Sequence, residues 1–112
     1  MVKPIPKHVL IHTATYEEWR DGDGINTESG FKPPVTLSNI RIQSLSNIRK
    51  NTNSEELLFE AMLFYDVVNS SSSGPFEFTK KSRITFKGKT MFVEKVNPVE
   101  ALSLHHYEIG LT

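Results

Sequence analysis

The run Arg83-Ile84-Thr85-Phe86, Lys87-Gly88, Lys89-Thr90-Met91-Phe92-Val93-Glu94-Lys95-Val96 decides how this chain is read. Two β-rich runs meet at a two-residue junction ending in glycine, the local signature of a β-hairpin. Gly88 supplies at least cost the positive φ that a primed turn needs at its second central position. A two-residue loop pairs Ile84 with Met91 and Ser82 with Val93 on one face, and turns Arg83 and Phe92 to the other. A three-residue loop with a glycine bulge turns Phe92 inward instead, because a slip of one residue exchanges the faces. The residues leave both registers open. After one connection, Leu104-His105-His106-Tyr107-Glu108-Ile109 reads as a closing strand.

Working outward, His8 to Trp19 is β-branched and aromatic and reads as a first strand, and Val35 to Ile42 as a second. In the second, Val35 and Leu37 lie on one phase and Ile40 and Ile42 on the other, which a bulge near Ser38-Asn39 reconciles. Glu55 to Val68 is ambiguous. Leu58, Ala61, Met62 and Tyr65 fall at helical spacing, with Thr52 and Glu55 placed for a capping box. Leu63-Phe64-Tyr65-Asp66-Val67-Val68 equally reads as a compact buried strand. Phe76-Glu77-Phe78 reads as a short alternating strand. Residues 1–7 carry two prolines and read as an extended arm, Asn69 to Pro75 as a flexible connector, and Arg20–Pro34 and Ser44–Ser54 as long loops. The fold expected is all-β: one domain over residues 1–112, a small barrel or sandwich of about six to seven strands with little helix.

Composition narrows the function. Lys plus Arg and Asp plus Glu each number 13, so the net charge is zero with neutral histidine. A general nucleic-acid coat normally carries a basic excess. The absence of cysteine excludes disulfides, thiolate metal sites and thiol nucleophiles. The start, Met1-Val2-Lys3-Pro4-Ile5-Pro6-Lys7, lacks the apolar core of a signal peptide. No run approaches the ~20 apolar residues of a membrane helix. A soluble, intracellular protein without membrane association is the expectation.

No constellation supports catalysis. His8 and His12 would share a strand face, and the neighbours His105 and His106 would point to opposite faces, so no metal site is expected. Asp21-Gly22-Asp23-Gly24-Ile25-Asn26 resembles the start of a calcium loop, but Lys32 falls where the closing glutamate belongs. Glu17-Glu18 and Glu55-Glu56 are adjacent in sequence, which does not place two acids across a substrate. There is no nucleophile elbow, phosphate loop or dinucleotide fingerprint. No cofactor and no enzymatic activity are expected. The run Phe76, Phe78, Lys80, Lys81, Arg83, Phe86, Lys87, Lys89, Phe92, Lys95 interleaves rings and bases, as a single-strand nucleic-acid groove on an OB-like barrel does. The competing reading places Phe76, Phe78, Ile84 and Phe86 in the core with the bases solvated outside.

The order of these short signals resembles a known family. Pro4-Ile5-Pro6-Lys7, His12-Thr13, Thr15-Tyr16-Glu17-Glu18, Val35-Thr36-Leu37-Ser38-Asn39-Ile40-Arg41, and Leu63-Phe64-Tyr65-Asp66 with Asn69-Ser70 are followed by Ile84-Thr85-Phe86-Lys87-Gly88-Lys89, Val96-Asn97-Pro98 and His105-His106-Tyr107-Glu108-Ile109. Together they resemble the small minor capsid proteins of tailed bacteriophages and prophages. Two positions depart from the pattern: Lys87 stands where Asn commonly precedes the turn glycine, and Met91 where an aromatic is usual. The resemblance implies a structural protein of the head–tail interface, of the head-closure, stopper or connector type. Such a subunit forms a homo-oligomeric ring below the portal that closes the DNA-filled head and docks the tail. It implies a strand over Leu58 to Val68, a portal or adaptor protein above, a tail-completion protein below, and packaged double-stranded DNA in the channel. The virion, after assembly in the host cytoplasm, is the implied location. One long loop commonly faces the channel in such subunits; Ser44–Ser54 is the candidate here, with Asn47, Arg49, Lys50 and Asn51. An OB-like single-strand-binding module is the alternative.

Overall fold

A computed structural model describes residues 3–22, 29–44, 59–101 and 103–112. Nine strands and no helix occur among the described residues: β1 (His12–Glu17), β2 (Trp19–Arg20), β3 (Gly30–Phe31), β4 (Val35–Ser44), β5 (Ala61–Asp66), β6 (Ser71–Ser72), β7 (Arg83–Phe86), β8 (Lys89–Ala101) and β9 (Ser103–Leu111). The order β1-β7-β8-β9-β5-β4 is antiparallel throughout, and β4 pairs back onto β1, with Tyr16 opposite Val35 and His12 opposite Ile40. The result is a closed six-strand barrel, with β6 as an extra strand beside β4. β2 and β3 form a separate small ribbon.

The two-residue hairpin register is the one adopted. Arg83 lies opposite Phe92 and Ile84 opposite Met91. Lys87 and Gly88 both take positive φ, 51° and 79°, which makes the turn type I′ and matches the twist of the strands it joins. Ile84 and Met91 are buried, while Phe92 is 44% exposed on the outer face. The bulge in β4 is also present. His12 to Ala14 on β1 spans Ile40 to Leu37 on β4, and the extra residue is absorbed at Asn39, whose φ is 53°. That single irregularity puts Leu37, Ile40 and Ile42 all inside.

Tyr16, Leu37, Ile40, Leu63, Ile84, Ile109 and Leu111 are fully buried, each side chain contributing about 1.5–3 kcal/mol of burial. Around Tyr16, the rings of Phe76, Phe78, Tyr65 and Tyr107 pack edge-on or tilted. The Tyr16 hydroxyl donates to the Glu77 carbonyl (2.6 Å) and accepts from the Thr79 N–H (3.1 Å).

Four elements differ from the sequence reading. β1 starts at His12, because residues 7–9 form a turn in which Val9 and Leu10 donate to the carbonyls of Pro6 and Lys7. Phe76-Glu77-Phe78 keeps its in–out alternation but pairs with no strand; Tyr16 and Glu18 take up its backbone groups instead. The serine run read as a connector is tied down, with Ser71 and Ser72 paired to Ser38 and Leu37, and with the Ser73 hydroxyl accepting from the Thr36 N–H. β8 runs through Pro98 and turns directly into β9. From Glu94 onward β9 is its sole strand neighbour among the described residues, and such an edge tolerates a proline because no ladder needs the missing N–H. Ala61–Asp66 is a strand, so the helical alternative for this segment falls; Leu58 lies outside the described residues.

Candidate functional site

The predicted channel-facing residues Asn47, Arg49, Lys50 and Asn51 lie outside the described residues. The strands that carry their loop are described: β4 ends and β5 begins with Ser44 opposite Ala61. Ala61 is in turn opposite Leu111, and Leu111 opposite Val93. The loop therefore springs from a line of paired residues crossing four strands of one barrel end.

The arm is held against the barrel at its described residues. Asp66, fully buried at the end of β5, accepts the Ile5 N–H (2.9 Å) and the N–H groups of Val68 (3.0 Å) and Asn69 (2.8 Å). The Asn69 amide donates to the Ile5 carbonyl (2.7 Å), and His105 Nε2 contacts the Lys3 carbonyl (2.6 Å).

The histidines do not assemble a metal centre. His8 lies in the turn before β1, away from the strand face it was expected to share with His12. His12 Nδ1 accepts the Ile42 N–H (2.9 Å), and its ring stands edge-on to Phe86. Burial first, then the charges of Lys87 and Arg41, lower its pKa and favour the neutral ring. His105 and His106, expected on opposite faces, are in contact through their Nδ1 atoms at 2.8 Å. The cause is one of two register shifts in the β8–β9 ladder: the step from Val99 to Glu100 on β8 faces two steps, His106 to Leu104, on β9. The inserted residue breaks the alternation that a regular strand would impose. His106 Nε2 also contacts Glu108 (2.9 Å). Among the described residues no group of three or more His, Asp or Glu is placed to hold a metal ion.

The paired carboxylates diverge as well. Glu17 takes a bidentate pair from Arg83 (2.8 and 2.9 Å), and these hydrogen bonds lower its pKa. Glu18 turns inward, receives the Glu77 N–H and pairs with Lys32 (2.9 Å). Asp21 accepts the Trp19 indole N–H (2.8 Å). Burial raises the pKa of Tyr16 and Tyr65, keeping both phenols protonated. A cleft of about 570 Å³ opens beside Tyr65, Phe76, Glu77, Phe78, Val96 and Tyr107. Every buried side-chain polar atom among the described residues has a partner.

The basic–aromatic run splits by parity. Phe78 and Ile84 lie in the core and Phe76 and Phe86 pack against it, while Phe92 of the same run stays on the outer face. Outside, a different aromatic group forms. Trp19 and Phe31, paired across the β2–β3 ribbon, stack edge to face at 5.2 Å, and the Arg83 guanidinium lies 4.1 Å over the Phe31 ring. Trp19 and Phe31 line a groove of about 440 Å³ together with Phe92, Val93, Lys80, Lys81 and Glu94. Trp19 and Phe31 were missed in the sequence. The available signal was a lone phenylalanine between Gly30 and Lys32 in an otherwise polar loop.

A family model described as minor capsid protein matches residues 6–111, whereas no curated protein and no solved structure matches the chain. The chain belongs to the minor capsid protein family, a phage structural protein carried with the virion.

Proposed function

We propose that this minor capsid protein works at the head–tail interface, as a ring below the portal that closes the DNA-filled head and docks the tail. Supporting this reading is the closed barrel from which the β4–β5 connection and the β8–β9 hairpin extend. The closed section of a barrel holds its shape, leaving the excursions to meet partners. Within the reading, Asn47, Arg49, Lys50 and Asn51 face the channel, and Arg49 and Lys50 lie against phosphates of the packaged double-stranded DNA. A portal or adaptor ring sits above and a tail-completion protein below. A reconstruction of the assembled particle is expected to place a ring of these barrels between portal and tail. Density on the outer capsid lattice instead would overturn the role.

A further inference from the structure

We propose that His12, Arg41 and Lys87 form a phosphate-binding site on the rim of the barrel from which the β4–β5 connection springs, and that it takes the phosphodiester backbone of double-stranded DNA. The choice of DNA as the source of the phosphate rests on the head–tail reading above; the site itself does not.

β1 begins at His12, β4 ends at Ser44, and the Lys87-Gly88 turn joins β7 to β8, so antiparallel pairing brings all three to one end of the barrel. His12 lies opposite Ile40, and its Nδ1 accepts the Ile42 N–H (2.9 Å). Burial, and then the charges of Lys87 and Arg41, favour the neutral ring. With Nδ1 accepting, the one proton of that ring sits on Nε2. Nε2 has no partner among the described residues, so the rim keeps an unused N–H donor.

The two cations stand around the same place. Arg41, between the two residues that His12 meets, reaches to the Val9 carbonyl (3.4 Å). The Lys87 ammonium lies 5.3 Å over the Phe86 ring, against which His12 stands edge-on at 4.8 Å. Neither cation forms an ion pair among the described residues. Glu60, next to Ala61 at this rim, is paired with Lys89 (2.6 Å). Two cations and a neutral N–H donor, with no carboxylate paired to them, complement a phosphate. A second observation points the same way. Lys87 holds a left-handed φ of 51°, which a shorter polar residue adopts more readily. Lysine here costs the turn some stability and gives the rim a cation, as strained positions at binding sites do.

The full chain is titrated at low salt with a short DNA duplex, and binding is read by fluorescence anisotropy of the labelled duplex. Lys87→Asn removes the cation while suiting the turn, so it separates binding from folding. Lys87→Asn and Arg41→Gln are each expected to weaken binding at least about threefold, and together at least about tenfold. The slope of log affinity against log salt should become shallower by about one for each cation removed. The His12 Nε2 resonance should move as duplex is added, and Lys80→Gln with Lys81→Gln should leave that movement intact. A duplex that does not bind the unaltered chain, or binds the double variant equally well, overturns the site and leaves the head–tail ring to the particle reconstruction. Sodium phosphate that moves the same resonance where the duplex does not overturns DNA as the source. A single strand bound more tightly than the duplex overturns double-stranded DNA in favour of a single-strand ligand. Duplex binding lost in the double variant of a chain located elsewhere in the particle supports the site and removes the ring's place.

Discussion

Asp66 accepts three backbone N–H groups, two from the turn that follows it and one from the arm sixty-one positions earlier. A carboxylate suits this place because it only accepts, and it offers about four lone-pair sites. Asp66→Ala strands these donors at a fully buried position and is expected to lower stability by about 3–5 kcal/mol in urea unfolding. Cleavage at Lys7 by trypsin should accelerate in parallel as the arm loosens. A stability loss below about 1 kcal/mol would refute the assignment. His12 makes the complementary case for pH. Burial favours its neutral ring in the fold, so the unfolded chain binds more protons as pH falls through the ordinary histidine range. Stability is therefore full above that range and declines below it. His12→Asn keeps an acceptor for the Ile42 N–H and should flatten that decline, read as urea midpoint against pH. Neither role was visible in the sequence. Asp66 appeared as one polar residue in an apolar run, and its partners are supplied by chain folded back from far away.

At the scale of elements, legibility followed locality. The hairpin was readable because Lys87-Gly88 encodes its own turn, and the β4 bulge because the parity of Val35, Leu37, Ile40 and Ile42 could be reconciled in few ways. The β8–β9 junction and the His105 bulge were not readable, since they answer to cross-strand pairing, which no short window contains. The same holds for the Phe76–Phe78 segment, whose backbone partners are Tyr16 and Glu18. The turn itself carries a prediction. Lys87 holds a left-handed φ of 51° that Asn tolerates better, so Lys87→Asn should gain about 0.5–1 kcal/mol. Gly88→Val, at φ 79°, should lose at least about 1–2 kcal/mol. Urea midpoints of the two variants moving in the same direction would contradict the type I′ geometry. Close approach rather than φ fixes another glycine: a Cβ on Gly110 would stand 2.8 Å from the Phe59 ring, so this position in β9 admits no side chain without displacing the ring that covers it.

For the whole molecule, closure joins segments far apart in sequence: Glu17 meets Arg83 across sixty-six positions. Such pairings are slow to find, and refolding followed by the fluorescence of the single tryptophan should take milliseconds to seconds rather than microseconds. A sub-millisecond phase carrying the full amplitude would count against a closed barrel in the rate-limiting step. Replacing residues 45–58 with a short turn should leave the barrel folded, because Ser44 and Ala61 remain paired at the base and shortening a loop costs little entropy. The heads built from that variant are expected to fill and then lose DNA. Filled, stable heads would remove the loop from the gate.

The pairing of β4 with β1 has a mechanical consequence. An open sheet fails by peeling, one hydrogen bond at a time from its outermost strand. Here each of the six strands is flanked by two others within the closed section of the barrel, so no seam runs its length. A pull on a strand of that closed section must shear several hydrogen bonds of a ladder at once, and the load spreads around the circumference before the strand can leave.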